Sequence, residues 1–232
     1  MQNTLCVTWL GRQPYRPVWE LQHALRRKRA AGTIPDVLLL LEHDPVITMG
    51  TRETSHEILL PPEELASRGV AVLQVERGGE VTYHGPGQLV AYPILSLRHH
   101  PRSVKKLVHH LEEVGIRVVA RYGIRAERDP RYPGLWVEDR KIMAIGIAIR
   151  EGITFHGIAL NVHTDLEAFS WIVPCGIRDR GVTSIARETG KQLSVEEIAR
   201  AWEETFLEVF GYRGERVSLQ ELLEGEVQPA EE

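Results

Sequence analysis

The chain has 232 residues, 43% of them hydrophobic, and a formal net charge of minus 4. That is enough apolar material for one sizeable core, and the charge gives no general attraction to nucleic acid even though arginine outnumbers lysine 23 to 5. The only two cysteines, Cys6 and Cys175, have neither CxxC spacing nor a Cys/His cluster beside them, which argues against a disulfide framework or a zinc site and fits a reducing compartment.

In chain order, residues 4–10 read as a strand in which Cys6 behaves as a small hydrophobe. No basic segment leads into an apolar core and cleavage site, and no apolar run approaches the roughly 18 residues of a membrane span, so a soluble cytoplasmic protein is expected. Residues 18–31 read as a basic amphipathic helix with Leu21 and Leu25 on one face. Residues 36–42 enclose Val37-Leu38-Leu39-Leu40-Leu41, apolar enough for a central strand covered on both faces, with 46–50 expected to pair with it. A short helix over 61–68 carries Glu63 and Glu64 in its first turn, favourable at the positive end of the dipole. Strands over 71–76 and 88–97 flank a glycine-rich connection.

From Ser103, a plausible N-cap, apolar residues recur at helical spacing through Val104, Leu107, Val108, Leu111, Val114, Val118 and Tyr122. Strands over 135–137, 142–149 and 153–162 follow with short turns between them, a β-meander. The last helix starts at Ser194 and ends at Phe210 with Gly211 after it, and the acidic tail 224–232 is expected to fray. Consecutive hairpins rather than strict βαβ alternation imply an α+β fold, a mixed β-sheet with flanking helices, in a single domain over 1–232 with its core at about 4–212.

Three segments carry chemistry. In Arg77 to Gln88, RGGEVTYHGPGQ, glycines let backbone N–H groups approach a ligand while Arg77 and His84 add donors; a plain β-hairpin with glycine turns is the competing reading. Lys141 opens the apolar strand Ile142 to Ile149, and simple alternation puts it on the side of Met143, Ile145 and Ile147. Burial there would tune it for proton transfer, whereas a snorkelling head would leave it inert. Cys175 lies between Pro174 and Gly176, a setting for a sharply bent loop that either presents the sulfur to a cleft or tucks it under a turn. Gly157, inside the strand that carries His156, marks a close approach of backbone or ligand. The pairs His99-His100 and His109-His110 read as surface, and no spacing suggests a metal site.

The run RGGEVTYHGPGQ, then RKIMAIG, FHGIALNV and PCGI followed by Gly181-Val182-Thr183-Ser184-Ile185, resembles in order and separation the bacterial lipoyl(octanoyl) transferase family, over roughly residues 35–186. Met143 stands where an alanine is more usual. The resemblance implies the biotin/lipoate protein ligase catalytic fold, which is similar to class II aminoacyl-tRNA synthetases. It also implies transfer of an octanoyl group from octanoyl-acyl carrier protein to a lysine of a lipoyl domain, in 2-oxoacid dehydrogenase E2 subunits and glycine cleavage H protein. Cys175 would be the nucleophile and Lys141 the acid and base. Arg77, Gly78, Gly79, Glu80, Val81, Thr82, Tyr83 and His84 would line the acyl pocket, with Ala144, Ile145, Gly146, Gly157, Ile158 and Ala159. Backbone N–H groups there would stabilise the oxyanion, with His84 a further candidate donor. No cofactor or metal is implied, since thioester to amide is downhill, and neither nucleic acid nor membrane is an expected partner; a monomer is expected. The basic run Arg26-Arg27-Lys28-Arg29 is read as a solvated helix face, with a docking patch for acidic carrier protein as the alternative. Two other readings stay open: an ATP-dependent lipoate or biotin protein ligase, and a non-enzymatic carrier-protein or fatty-acid binding module.

Overall fold

Val37 to Leu41 lie fully buried in the middle of the largest sheet of a computed structural model that describes residues 4–52, 55–98, 103–174 and 180–224. The first half of the chain supplies β1 (Thr4–Gln13), α1 (Tyr15–Ala30), β2 (Asp36–His43), β3 (Val46–Met49), α2 (Pro62–Ser67), β4 (Ala71–Gln74), β5 (Val81–His84) and β6 (Gln88–Ile94). The second supplies α3 (Val104–Ala120), β7 (Glu127–Arg128), β8 (Gly134–Val137), β9 (Arg140–Arg150), β10 (Ile153–Asn161), β11 (Gly181–Val182), α4 (Ile185–Thr189), α5 (Val195–Phe210), β12 (Arg213–Arg216) and α6 (Leu219–Glu224).

Among the described residues the large sheet runs β12-β1-β2-β6-β10-β9-β8-β7, with β11 pairing beside Arg140 and Lys141. Its β12–β1, β1–β2 and β11–β9 pairs are parallel and the others antiparallel, so the expected mixed sheet with flanking helices is present. One pairing differs. Residues 46–50 were expected beside 36–42, but β3 instead centres a second sheet in the order β4-β3-β5. Both edges of β2 are already taken by β1 and β6, and Pro45 between β2 and β3 has no N–H to continue a ladder. Helix α1 begins three residues before the predicted Val18, because Pro17 in a first turn removes only an N–H that would have no intrahelical partner.

The large sheet has two different layers on its faces. Helices α3 and α5 cover one face, burying Leu107, Leu111, Val114, Ile198, Trp202 and Phe206 against Leu38, Leu89, Met143, Ile158 and Leu160. Each fully buried large aliphatic side chain in this layer contributes about 1.5–3 kcal/mol. Both helices are capped as predicted, by Ser103 and by Ser194, whose Oγ accepts from the Glu197 N–H at 3.1 Å, with Gly211 closing α5 at φ 71°. Met143 fits beside Gly115 of α3: a Cβ at Gly115 would fall 2.9 Å from its sulfur and 2.5 Å from Leu135 Cδ1. The opposite face carries α1 and the small sheet.

Cys6 is fully buried under α1, where burial first of all pushes its thiol up to about 12 and leaves it inert. The basic run of α1 is not a uniformly solvated face. Arg26 is buried and paired with Glu151 at 2.7 Å, Arg29 with Asp36 at 2.6 Å, and Lys28 donates to the Leu223 carbonyl, leaving Arg27 exposed. His109 is exposed, but His110 is half-buried edge-on to Phe210, with ring centroids 5.1 Å apart. His99, His100 and residues 225–232 of the acidic tail lie outside the described residues.

Candidate active site

Side chains on β9 and β10 alternate between the two layers. Facing the small sheet, Ala144 pairs with Ala159 and Gly146 with Gly157, a floor made entirely of small residues. Above it lies a narrow cleft. Ile145 and Ile158 also border it, but their side chains belong to the helix-side core, so what they offer the cleft is main chain. Gly157 cannot carry a side chain: a Cβ there would stand 2.0 Å from the Ala91 carbonyl oxygen. The close approach foreseen at this glycine is therefore made by the neighbouring strand. Just before it, His156 holds φ 54°, a left-handed conformation uncommon for a non-glycine residue, with its N–H bound to Gln22 Oε1 at 2.7 Å.

The RGGEVTYHGPGQ segment forms the opposite wall. It is a loop followed by a strand, and strand alternation divides its residues. Arg77, Gly78, Gly79, Thr82 and His84 border the cleft. Val81 and Tyr83 face away into a cluster with Phe169 and Ile172, while Glu80 turns outward to Arg52 at 2.8 Å. Expected as pocket residues, these three are not among the cleft lining. Arg77 is buried, giving Nε and Nη2 to Thr48 and Nη1 to the Gly78 carbonyl at 3.1 Å, and so staples the loop to β3.

Lys141 is on the other side of the sheet from Met143, contrary to simple alternation. Trp136 pairs with Lys141 but Leu135 with Met143, so two steps on β9 match one on β8: a β-bulge at Ile142. The bulge turns Lys141 toward the small-residue face and lays its Nζ 4.8 Å from the centre of the Trp136 ring. The residue is 8% exposed. It borders a small cavity together with Gln88, Asn161, Phe169, Pro174 and Val182, and Thr82, Ala144 and Ala159 line both this cavity and the larger cleft. Cys175 lies outside the described residues, as does the bend expected around it; its neighbour Pro174 is the last described residue before it.

A buried polar chain runs under this cavity. Gln88 Nε2 donates to the Tyr83 carbonyl at 3.2 Å and to Asn161 Oδ1 at 3.0 Å, and Asn161 Nδ2 donates to the Thr183 carbonyl at 2.9 Å. That orientation makes Gln88 Oε1 the acceptor from His84 Nδ1 at 2.8 Å, so the His84 hydrogen sits on Nδ1 and Nε2 carries a lone pair. Burial, and then His43, lowers His84 to about 3; burial likewise lowers His43 to about 4 and is the main cause of the lowering at His156. A neutral His84 protonated at Nδ1 has no hydrogen for an oxyanion, which removes it as the further donor considered from sequence. Tyr15 and Tyr92 close the cleft beside His84 and His156, and the Tyr92 hydroxyl donates to His43 Nε2 at 2.9 Å.

Sequence reasoning did not single out Tyr15, Tyr92, Trp136 or Phe169 for the site. Gln88 and Asn161 stood inside quoted motifs, and an invitation to choose them was present: buried amides on strands must find partners. Among the described residues no helix is long and apolar enough to cross a membrane.

The family described as lipoyl protein ligase A/B catalytic domain matches residues 14–207. An octanoyltransferase of Chloroflexus aggregans is 52% identical over 200 residues, covering 85% of this chain and 90% of the relative. A bi-partite lipoate protein ligase from Thermoplasma acidophilum superposes with a TM-score of 0.69 at 18% identity, over 97% of this chain and 91% of that one. The biotin protein ligase from Aquifex aeolicus, in complex with biotin and ATP, superposes with a TM-score of 0.54 at 13% identity, over 88% and 69%. These two similarities concern the fold.

Proposed function

The chain belongs to the lipoyl protein ligase A/B catalytic-domain family and is an octanoyl-transferring acyltransferase of protein lipoylation that acts on lipoyl-domain proteins; from that premise we propose that the acyl group travels through a thioester on Cys175, with Lys141 carrying the protons. The donor is octanoyl-acyl carrier protein. The acceptors are the lipoyl domains of 2-oxoacid dehydrogenase E2 subunits and glycine cleavage H protein. The enzyme works as a cytoplasmic monomer, with one catalytic domain.

The observation that carries this reading is that Lys141 and Pro174, the residue joined to Cys175, border one cavity that shares its walls with a narrow cleft floored by Ala144, Gly146, Gly157 and Ala159. Lys141 Nζ takes the Cys175 thiol proton, and the thiolate adds to the donor thioester carbonyl. The tetrahedral intermediate collapses by breaking the bond to the carrier sulfur, which leaves with the proton from Lys141. In the second half the acceptor amine adds to the acyl-enzyme, Lys141 removes its surplus proton, and the Cys175 sulfur departs and recovers that proton. Main-chain N–H groups along the cleft are the oxyanion donors in this scheme, since His84 has none to give.

Intact-protein mass spectrometry after mixing with octanoyl-acyl carrier protein, without ATP, tests the scheme. The enzyme gains one octanoyl mass, Cys175→Ser gains none and transfers nothing, and Lys141→Ala acylates slowly or not at all. Full transfer by Cys175→Ser would overturn the covalent route, and a strict need for ATP would point to a ligase.

A further inference from the structure

Trp136 contacts two cations. Lys141 Nζ and Arg180 Cζ each stand 4.8 Å from the centre of its ring, and the indole Nε1 donates to the Tyr132 carbonyl at 3.1 Å. Trp136 is buried, at 3% exposure, so both attractions act with little water around them. Arg180 is itself anchored, by Asp129 at 2.8 Å, and it lies on the chain just past Cys175, as Pro174 lies just before it. The next residues, Gly181 and Val182, pair directly with Arg140 and Lys141.

We propose that Trp136 is a positioning residue for the acyl transfer: its ring face holds the Lys141 ammonium at the cavity and couples that lysine to the chain segment that follows Cys175. The inference rests on the reading of Lys141 as the proton carrier. A lysine ammonium ends a flexible four-carbon stem and has no preferred direction of its own. Here the β-bulge aims the stem and the ring limits where the head can rest. The charged groups around the pair are Arg140, shared between Glu138 and Glu188 at 3.0 Å each, and Arg180, shared between Asp129 and, at 3.9 Å, Asp139. Each is matched by carboxylates, and neighbouring His84, Gln88 and Asn161 are uncharged. Trp136 is thus the group whose removal changes the surroundings of the ammonium without altering the count of charges.

The test is the rate of enzyme octanoylation by octanoyl-acyl carrier protein. It compares the wild type with Lys141→Ala, Trp136→Phe, Trp136→Leu and enzyme carrying progressively fluorinated tryptophan at position 136, which keeps the shape and weakens the ring face. Trp136→Leu slows acylation by about tenfold. Trp136→Phe stays near wild type, and each added fluorine slows acylation further. A wild-type rate in Trp136→Leu, or a flat fluorine series, overturns the proposal; should the leucine variant not fold, the fluorine series decides. Wild-type acylation by Lys141→Ala instead removes the premise about the lysine, whatever Trp136 does.

Discussion

On one face of β9 and β10, Met143, Ile145, Ile158 and Leu160 meet α3 and α5; on the other, Ala144, Gly146, Gly157 and Ala159 border a cleft. Both sets come from alternate positions of the same two strands. The helix face is filled by large side chains in close contact, including the stacked pair Phe206 and Phe210 with centroids 4.1 Å apart. The cleft face gives up that contact: its floor is small, His156 holds a left-handed φ, and its buried polar groups draw partners from three strands and from Thr183 between β11 and α4. Stability is thus concentrated on one side of the sheet and the space for a substrate on the other, which allows the two to be perturbed separately.

Lys141→Ala gives the sharpest separation. Loss of a general acid and base costs roughly 10²–10⁴-fold in acylation rate, measured by quenched mass spectrometry, while melting stays near wild type because the residue is not part of the helix-side core. Met143→Ala is the converse. It opens a cavity against Gly115 and Leu135 and lowers stability by about 2–5 kcal/mol in denaturant titration, with the transfer rate per folded molecule unchanged. A loss of rate from that change would break the separation. Ala144→Val narrows the cleft floor, and competition between octanoyl and shorter acyl carriers should show discrimination against octanoyl by roughly 10–200-fold at little cost in melting temperature.

A last effect is set by pH. His43 is depressed from 6.5 to about 4 by burial, so between those values the unfolded chain binds a proton that the folded one refuses. Its contribution is complete above about 6.5 and is lost as pH falls toward about 4, with a slope of up to about 1.4 kcal/mol per pH unit. His84 extends the window to about 3. Melting temperature should therefore drop through this acid range, and His43→Gln should flatten the drop; an equal slope in the variant would mean that the acid sensitivity lies elsewhere.

Helices were legible where caps and period agreed, as at Ser103 and from Ser194 to Gly211, because both signals are local. The four motifs likewise announced the chemistry through residue type and order. What failed was whatever depended on a neighbour. The position of β3 turned on which edges of β2 were free, and the pocket role of Val81 and Tyr83 turned on a loop continuing as a strand. The side chosen for Lys141 was wrong because a bulge is defined by the partner strand and leaves no mark on its own period.

The sequence by itself determined the mixed α+β character, the apolar centre at Val37 to Leu41 and the membership in an acyl-transferring family, since periodicity, caps and ordered motifs are properties of the chain alone. Only the tertiary structure decided that Lys141 rests on Trp136, that His84 keeps its hydrogen on Nδ1 and that small residues of two strands form one floor. Each of these is a relation between distant segments, set by which backbone groups and ring faces meet when the layers close.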